Sequence, residues 1–199
     1  MNNNRQSIRL KNYDYSKSGL YFITICTQNR KCLFGNIVVV GVGRDRPVSI
    51  GRDRPPLIGP PNLMILNQYG KIIKNVWESL PDHHPVELDA FQIMPNHVHF
   101  ILHIVSGARP IITGASQQNN MGASRRAPTG TLGFIVGMFK TECTGQINKL
   151  RNTPGQKIFQ RNYYEHIIRT ENELNNIRQY IKNNPFFWQK DINNPTKYV

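Results

Sequence analysis

The 199-residue sequence predicts an α+β fold: a split βαβ, ferredoxin-like or RRM-like antiparallel sheet with helices on one face. Three observations carry this expectation. Apolar residues recur with period two in several short stretches and near period 3.6 in three longer ones. These stretches follow the order strand, helix, strand, strand, helix, strand, helix. Only Pro95 and Asn96, both turn formers, separate the two middle strands, which makes them a hairpin.

Leu20 to Thr27 (LYFITICT) is β-branched and aromatic and reads as a central strand, with Gln28 to Lys31 as its basic exit. Ile37 to Val42 reads as a further strand or strand end. Asn62 to Leu80 carries Leu63, Leu66, Ile72, Ile73, Val76 and Trp77 close to a helical stripe and is expected to be one helix. Pro81 and Pro85 bound a turn in which His83 and His84 read as an exposed pair. Val86 to Met94 is the first strand of the hairpin, and the second starts at His97. Thr131 to Arg151 reads as a helix with Leu132, Ile135, Val136, Phe139, Cys143 and Ile147 inward, ended by Pro154-Gly155. Ile158 to Ile168 reads as the last strand. Thr170 and Glu173 then have capping-box spacing, and Pro185 limits the final helix to about Asn183. Phe186 to Val199 is expected to fold back on the core.

One domain over 1–199 is the expectation for this length, with loop insertions at 41–61 and 106–130. In the first, Gly43-Arg44-Asp45-Arg46-Pro47 recurs as Gly51-Arg52-Asp53-Arg54-Pro55, too short a period for a solenoid unit. The second is rich in Gly, Ala and Ser.

Lysine and arginine number 25 against 12 acidic residues, a net charge of +13. Such a surplus favours a polyanion, because each phosphate contact releases condensed counterions. No stretch is long and apolar enough to span a bilayer, and the first residues lack the apolar run of a signal peptide. Cys26, Cys32 and Cys143 are odd in number and fit no zinc spacing, so reduced thiols in a cytoplasmic protein are expected. In Ser7 to Tyr15, Arg9 and Lys11 interleave with Tyr13 and Tyr15. That suits a nucleic-acid strand, with charge for phosphate and rings for stacking, and equally suits an arm packed on the domain. Arg30, Lys140 and Arg161 are further candidate DNA contacts.

Along Met94-Pro95-Asn96-His97-Val98-His99-Phe100-Ile101-Leu102, alternation sends Val98, Phe100 and Leu102 to one side and His97, His99 and His103 to the other. At about 3.3 Å per residue, the Cβ atoms of His97 and His99 lie ~7 Å apart and their imidazoles can converge on one metal ion. A His-x-His pair also suits an ordinary solvent-facing strand. On the last helix Tyr180 and Asn184 stand one turn apart. The same pattern fits a tyrosine packed on the sheet and a polar group at a helix end.

Four stretches together resemble the REP-associated tyrosine transposases, a branch of the single-tyrosine HUH transposases. They are Ser7 to Arg30, Met94 to Leu102 (MPNHVHFIL), Gln160 to Arg169 (QRNYYEHIIR) and Ile177 to Trp188 (IRQYIKNNPFFW). His97-Val98-His99 is the histidine, hydrophobic, histidine motif. The resemblance implies an HUH endonuclease fold, Tyr180 as nucleophile, and His97, His99 and Asn184 as ligands of Mg²⁺ or Mn²⁺. It implies single-stranded or hairpin DNA from short palindromes as substrate, and a monomer or a homodimer with the tyrosine in cis or trans. Tyr163 and Tyr164 are rival tyrosines on a strand, and His166 is an added ligand or a positioning group. Two other readings stay open. One is a non-catalytic nucleic-acid-binding module on the same sheet. The other is a zinc hydrolase using His97, His99 and His103.

Overall fold

The computed structural model describes residues 13–15, 17–39, 62–105 and 130–195. Most of both expected insertions, together with Arg9, Lys11 and Tyr198, lies outside the described residues. Strands β1 (Gly19–Cys26), β4 (Val86–Ile93), β5 (His97–Ile104) and β6 (Tyr164–Ile168) form one antiparallel sheet in the order β4-β5-β1-β6. That is the split βαβ order expected. Strands β2 (Gly35–Val39) and β3 (Asn62–Leu66) form a separate two-stranded ribbon.

The helices are α1 (Gln68–Glu78), α2 (Leu80–His83), α3 (Leu132–Arg151) and α4 (Glu171–Asn183). On one face of the sheet, Ile23, Ile25, Val98, Phe100 and Leu102 meet Ile73, Trp77, Ile135 and Phe139 of α1 and α3. The Trp77 ring stacks on Phe91 at 4.8 Å and packs on Phe100 at 4.7 Å. Helix α4 lies across the opposite face. There Leu174 and Ile181 cover Phe22, Ile101 and Ile168 in a second, smaller cluster. The expected one-sided arrangement therefore holds for the two long crossover helices, while α4 takes the other face.

Strand β4 explains how a sequence with broken alternation stays in the sheet. Leu88 pairs with Leu102, yet Phe91 pairs with Phe100, so Asp89 and Ala90 share a bulge opposite one β5 residue. The extra residue keeps Leu88 and Phe91 on the core side. Asp89 accepts two bonds from the Arg178 guanidinium of α4, at 3.0 and 2.6 Å.

Three expected boundaries change. Asn62–Leu66 is strand β3 rather than helix, its residues alternating in exposure against β2. The helix starts only after Asn67, whose side chain accepts from the Tyr69 and Gly70 amides. Of the expected strand from Ile158, only Tyr164–Ile168 is in the sheet; Phe159 makes a single bridge to Thr27. His83 and His84 close the one-turn helix α2 rather than a bare loop. Helix α3 ends where Asn152 turns left-handed, before Pro154-Gly155. Thr170 caps α4 as expected, but Glu173 reaches past it to the Arg169 amide at 2.8 Å.

Candidate active site

The β4–β5 turn anchors the site. Pro95 has no N–H, and its carbonyl accepts from the amides of Leu33 and Phe34. Asn96 is fully buried, and its Nδ2 donates to the carbonyls of Arg30 and Asn193, at 2.9 and 2.7 Å. With Nδ2 spent on two acceptors, Asn96 Oδ1 must accept, so His97 Nδ1, 2.8 Å away, carries the proton. His97 therefore presents the lone pair of Nε2. His99 Nε2 lies 2.9 Å from it, and His99 Nδ1 lies 2.8 Å from Thr24 Oγ1, a hydroxyl that can donate or accept. Burial pushes both imidazoles down to about 3, so both are neutral near pH 7. For His97 a second, smaller cause is the Arg30 charge.

Beyond α4 the chain turns back through Trp188 and carries Asp191 to the pair. Asp191 Oδ2 stands 3.5 Å from His97 Nε2, while Oδ1 accepts from the Asn193 amide at 2.7 Å. Nothing local in Trp188 to Asn194 marks Asp191, and sequence reasoning missed it. Its position follows from the turn and the tail being tied together by Asn96 Nδ2 and by Arg30 Nη1, which donates to the Ile192 carbonyl.

Tyr180 projects from α4 beside these groups, its ring 5.4 Å from that of His99 and edge-on to Phe22 at 6.0 Å. Burial raises its hydroxyl above the ordinary tyrosine value. The Asn184 amide, hydrogen-bonded to it from one turn later, acts in the opposite direction. Asn184 is buried. A cleft of about 490 Å³ opens over His99, lined also by Phe22, Thr24, Tyr164 and Tyr180 among others, with His97 buried behind it. The nearby Cys26 thiol is raised, chiefly by burial.

The donor set suits a divalent cation. Nε2 of both histidines and a carboxylate oxygen of Asp191 all lie within 4.8 Å of one another. Two ligands about 2.1 Å from one ion and at right angles stand ~3.0 Å apart, close to the 2.9 Å seen between the nitrogens. Each histidine's second nitrogen has an oxygen partner, as ligating histidines do. The residues fit.

No family model matches the chain. An uncharacterized protein of Haemophilus influenzae is 38% identical over 193 residues, covering 94% of this chain and 91% of that protein. Another protein of that organism, named "Putative REP-associated tyrosine transposase", is 25% identical over 179 residues, 88% of this chain and 76% of that protein. In sequence the chain thus resembles a protein named as a REP-associated tyrosine transposase. A solved structure of a REP-associated tyrosine transposase bound to a REP hairpin is 15% identical, with a TM-score of 0.48, covering 91% of this chain and 73% of that one.

Other residues singled out in the sequence fall into two groups. Arg30 and Arg161 are exposed, and Tyr164 joins Tyr180 on the cleft wall with Tyr163 beside it. The rest are engaged within the fold, as Arg30 also is through the Ile192 carbonyl. Tyr13 packs on the α1/α3 core, its hydroxyl 3.4 Å from that of Tyr21, so the arm reading holds for this ring. The Lys140 ammonium is largely spent on the carbonyls of Gln160 and Arg161, at 2.6 and 3.0 Å. His166 pairs with Glu173 of α4 at 2.6 Å and is outside the histidine cluster. His103 is held by Glu87 at 2.8 Å and is likewise outside, which removes the third ligand of the zinc-hydrolase reading. Among the described residues no helix is long and apolar enough to cross a membrane.

Proposed function

We propose that this chain is a metal-dependent single-strand DNA endonuclease and strand transferase that cuts through a 5′-phosphotyrosine on Tyr180 and acts on palindromic hairpins. The observation that carries the reading is a single juxtaposition. Tyr180, on α4, shares one cleft with His99, its ring 5.4 Å away, and His99 is paired behind with the buried neutral His97. The hairpin substrate is supported by the relation to the REP-associated transposases.

In the cut, Tyr180 Oη attacks phosphorus and the bond from phosphorus to the 3′ oxygen breaks. The 3′ oxygen leaves as a free hydroxyl, its proton balancing the one lost by the phenol. A phosphodiester is exchanged for a phosphotyrosyl ester, so a 3′-hydroxyl can reverse the step without ATP. With its hydroxyl held above the usual tyrosine range, Tyr180 is protonated near pH 7. Asn184 favours the phenolate that develops. His97, His99 and Asp191, with Asn184 as a further candidate, would hold Mg²⁺ or Mn²⁺, which supplies positive charge to polarise the phosphate. Because Asp191 adds a carboxylate to two neutral imidazoles, that charge is partly offset. The rigid hydrogen bonds behind His97 and His99 keep the site aligned, which in-line attack requires.

The test is a denaturing gel of labelled single-stranded hairpin DNA incubated with Mn²⁺. An adduct carrying the 3′ label is expected from the wild type and not from Tyr180→Phe, with binding retained. An adduct that persists in Tyr180→Phe and vanishes in Tyr163→Phe or Tyr164→Phe moves the nucleophile to the strand. No adduct from any of these proteins, with binding intact, leaves a non-catalytic binding module.

A further inference from the structure

On the α3 side of the molecule lies a second, larger groove of about 920 Å³, between that helix and residues 152–161. Its walls carry Lys140 and Lys149 from α3 and Lys157 and Arg161 from the facing segment, and among the described residues no aspartate or glutamate lines it. Lys149, Lys157 and Arg161 are exposed. We propose that this groove binds the sugar-phosphate backbone of the DNA strand that runs on into the Tyr180 cleft. This rests on the reading of the site given above.

Four features support it. The charge is one-signed, which suits a polyanion, and each cation brought to a phosphate releases counterions. The groove and the cleft share Gln160 as a lining residue, so a strand leaving one enters the other. The far wall is preformed. Lys140 clamps the Gln160 and Arg161 carbonyls to α3, Asn148 Nδ2 donates to the Gln156 carbonyl at 2.8 Å, and the Gln160 amide donates to Cys26 at 2.9 Å. Lastly, Gly145 sits inside α3, where glycine costs about 1 kcal/mol against alanine. A Cβ there would meet nothing within 4 Å, so packing within the described protein does not require the glycine. On the groove floor the missing side chain leaves room for a backbone to approach closely. A concave channel with cations on both walls fits a strand better than the flat surface of a bilayer.

The test compares two variants that lose equal charge. Lys149→Ala/Lys157→Ala takes one cation from each wall of the groove; Lys71→Ala/Lys74→Ala takes two exposed cations from α1. Binding of a fluorescent DNA hairpin with a single-stranded tail is measured without divalent metal, from about 50 to 200 mM salt. The groove variant should bind at least about tenfold more weakly at the low end. Its slope of log affinity against log salt should shrink by about 2. The α1 variant should change affinity less than about threefold, and Arg161→Ala alone should reduce the slope by about 1. Equal losses in the two double variants, or an unchanged slope in the groove variant, overturn the proposal. Because this assay needs no cleavage, a protein that never forms an adduct yet shows the slope difference loses the nuclease reading and keeps the groove.

Discussion

The two faces of the main sheet are made by the same strands and behave in opposite ways. Toward α1 and α3, β5 sends Val98, Phe100, Leu102 and Ile104 into a large cluster of aliphatic and aromatic residues. Toward α4 it sends His97, His99 and Ile101, and among the described residues only five buried ones make the apolar cluster there. The first face obtains its stability from area removed from water, about 1.5–3 kcal/mol for each large side chain fully buried. The second keeps two imidazoles neutral, dry and hydrogen-bonded from behind, an arrangement that adds little stability. The difference teaches that the well-packed face serves as the rigid mount for the other. A strand has two sides, so one run of eight residues can supply core and chemistry together.

The sharpest way to break this comparison is to truncate one residue on each face. Phe100→Ala removes a side chain packed on Trp77 and Phe139 and should cost about 3–5 kcal/mol in urea unfolding. His99→Ala should cost well under half of that in metal-free protein, while removing metal-dependent nicking and leaving DNA binding largely intact. Equal destabilisation by the two changes would mean that the histidine face is simply more core.

Acid should separate the faces next. The folded values of His97 and His99 are lowered to about 3, against an unfolded value near 6.5. Between those limits the unfolded chain binds protons that the folded chain does not. Stability is therefore whole above about pH 6.5 and lost as pH falls toward 3, with a limiting slope of ~1.4 kcal/mol per pH unit per histidine. From pH 7.5 to 5, metal-free protein should lose about 2–4 kcal/mol in denaturant unfolding. The double variant His97→Gln/His99→Gln should flatten most of that slope. A flat wild-type profile would contradict burial of neutral imidazoles.

A smaller effect should come from Asp191, which tests whether the tail belongs to the metal site. Asp191→Asn keeps the shape but removes the charge, and Mn²⁺ affinity by calorimetry should drop about 10–100-fold. Unchanged affinity would return the third position to Asn184 alone. The least effect is expected from Arg178→Ala, which breaks the pair with Asp89 that ties α4 to the β4 bulge. Both groups are partly exposed, so only a slight fall in Tm is expected in thermal unfolding. A larger loss would mean that α4 is held by this pair rather than by Leu174 and Ile181.

Local periodicity alone determined much of this molecule. The alternation from His97 to Ile104, the stripe of α3 and the Thr170 cap are each written within a few consecutive residues. Local chemistry decides such features, so they were legible before any fold was known. The pairing of Tyr180 with Asn184 was legible too, since residues four apart on a helix share a face. Tertiary structure decided the rest. Leu63 and Leu66 suit a helix stripe as well as a strand, and only pairing with β2 made Asn62–Leu66 a strand. The β4 bulge arose because Leu88 and Phe91 both had to reach one core. Asn96 looked like an ordinary turn residue, and its bonds to Arg30 and Asn193 span 66 and 97 residues. Asp191 carries no local mark at all. It reaches the histidines because that long-range tie folds the tail over them, and a contact between distant segments has no period in the sequence to betray it.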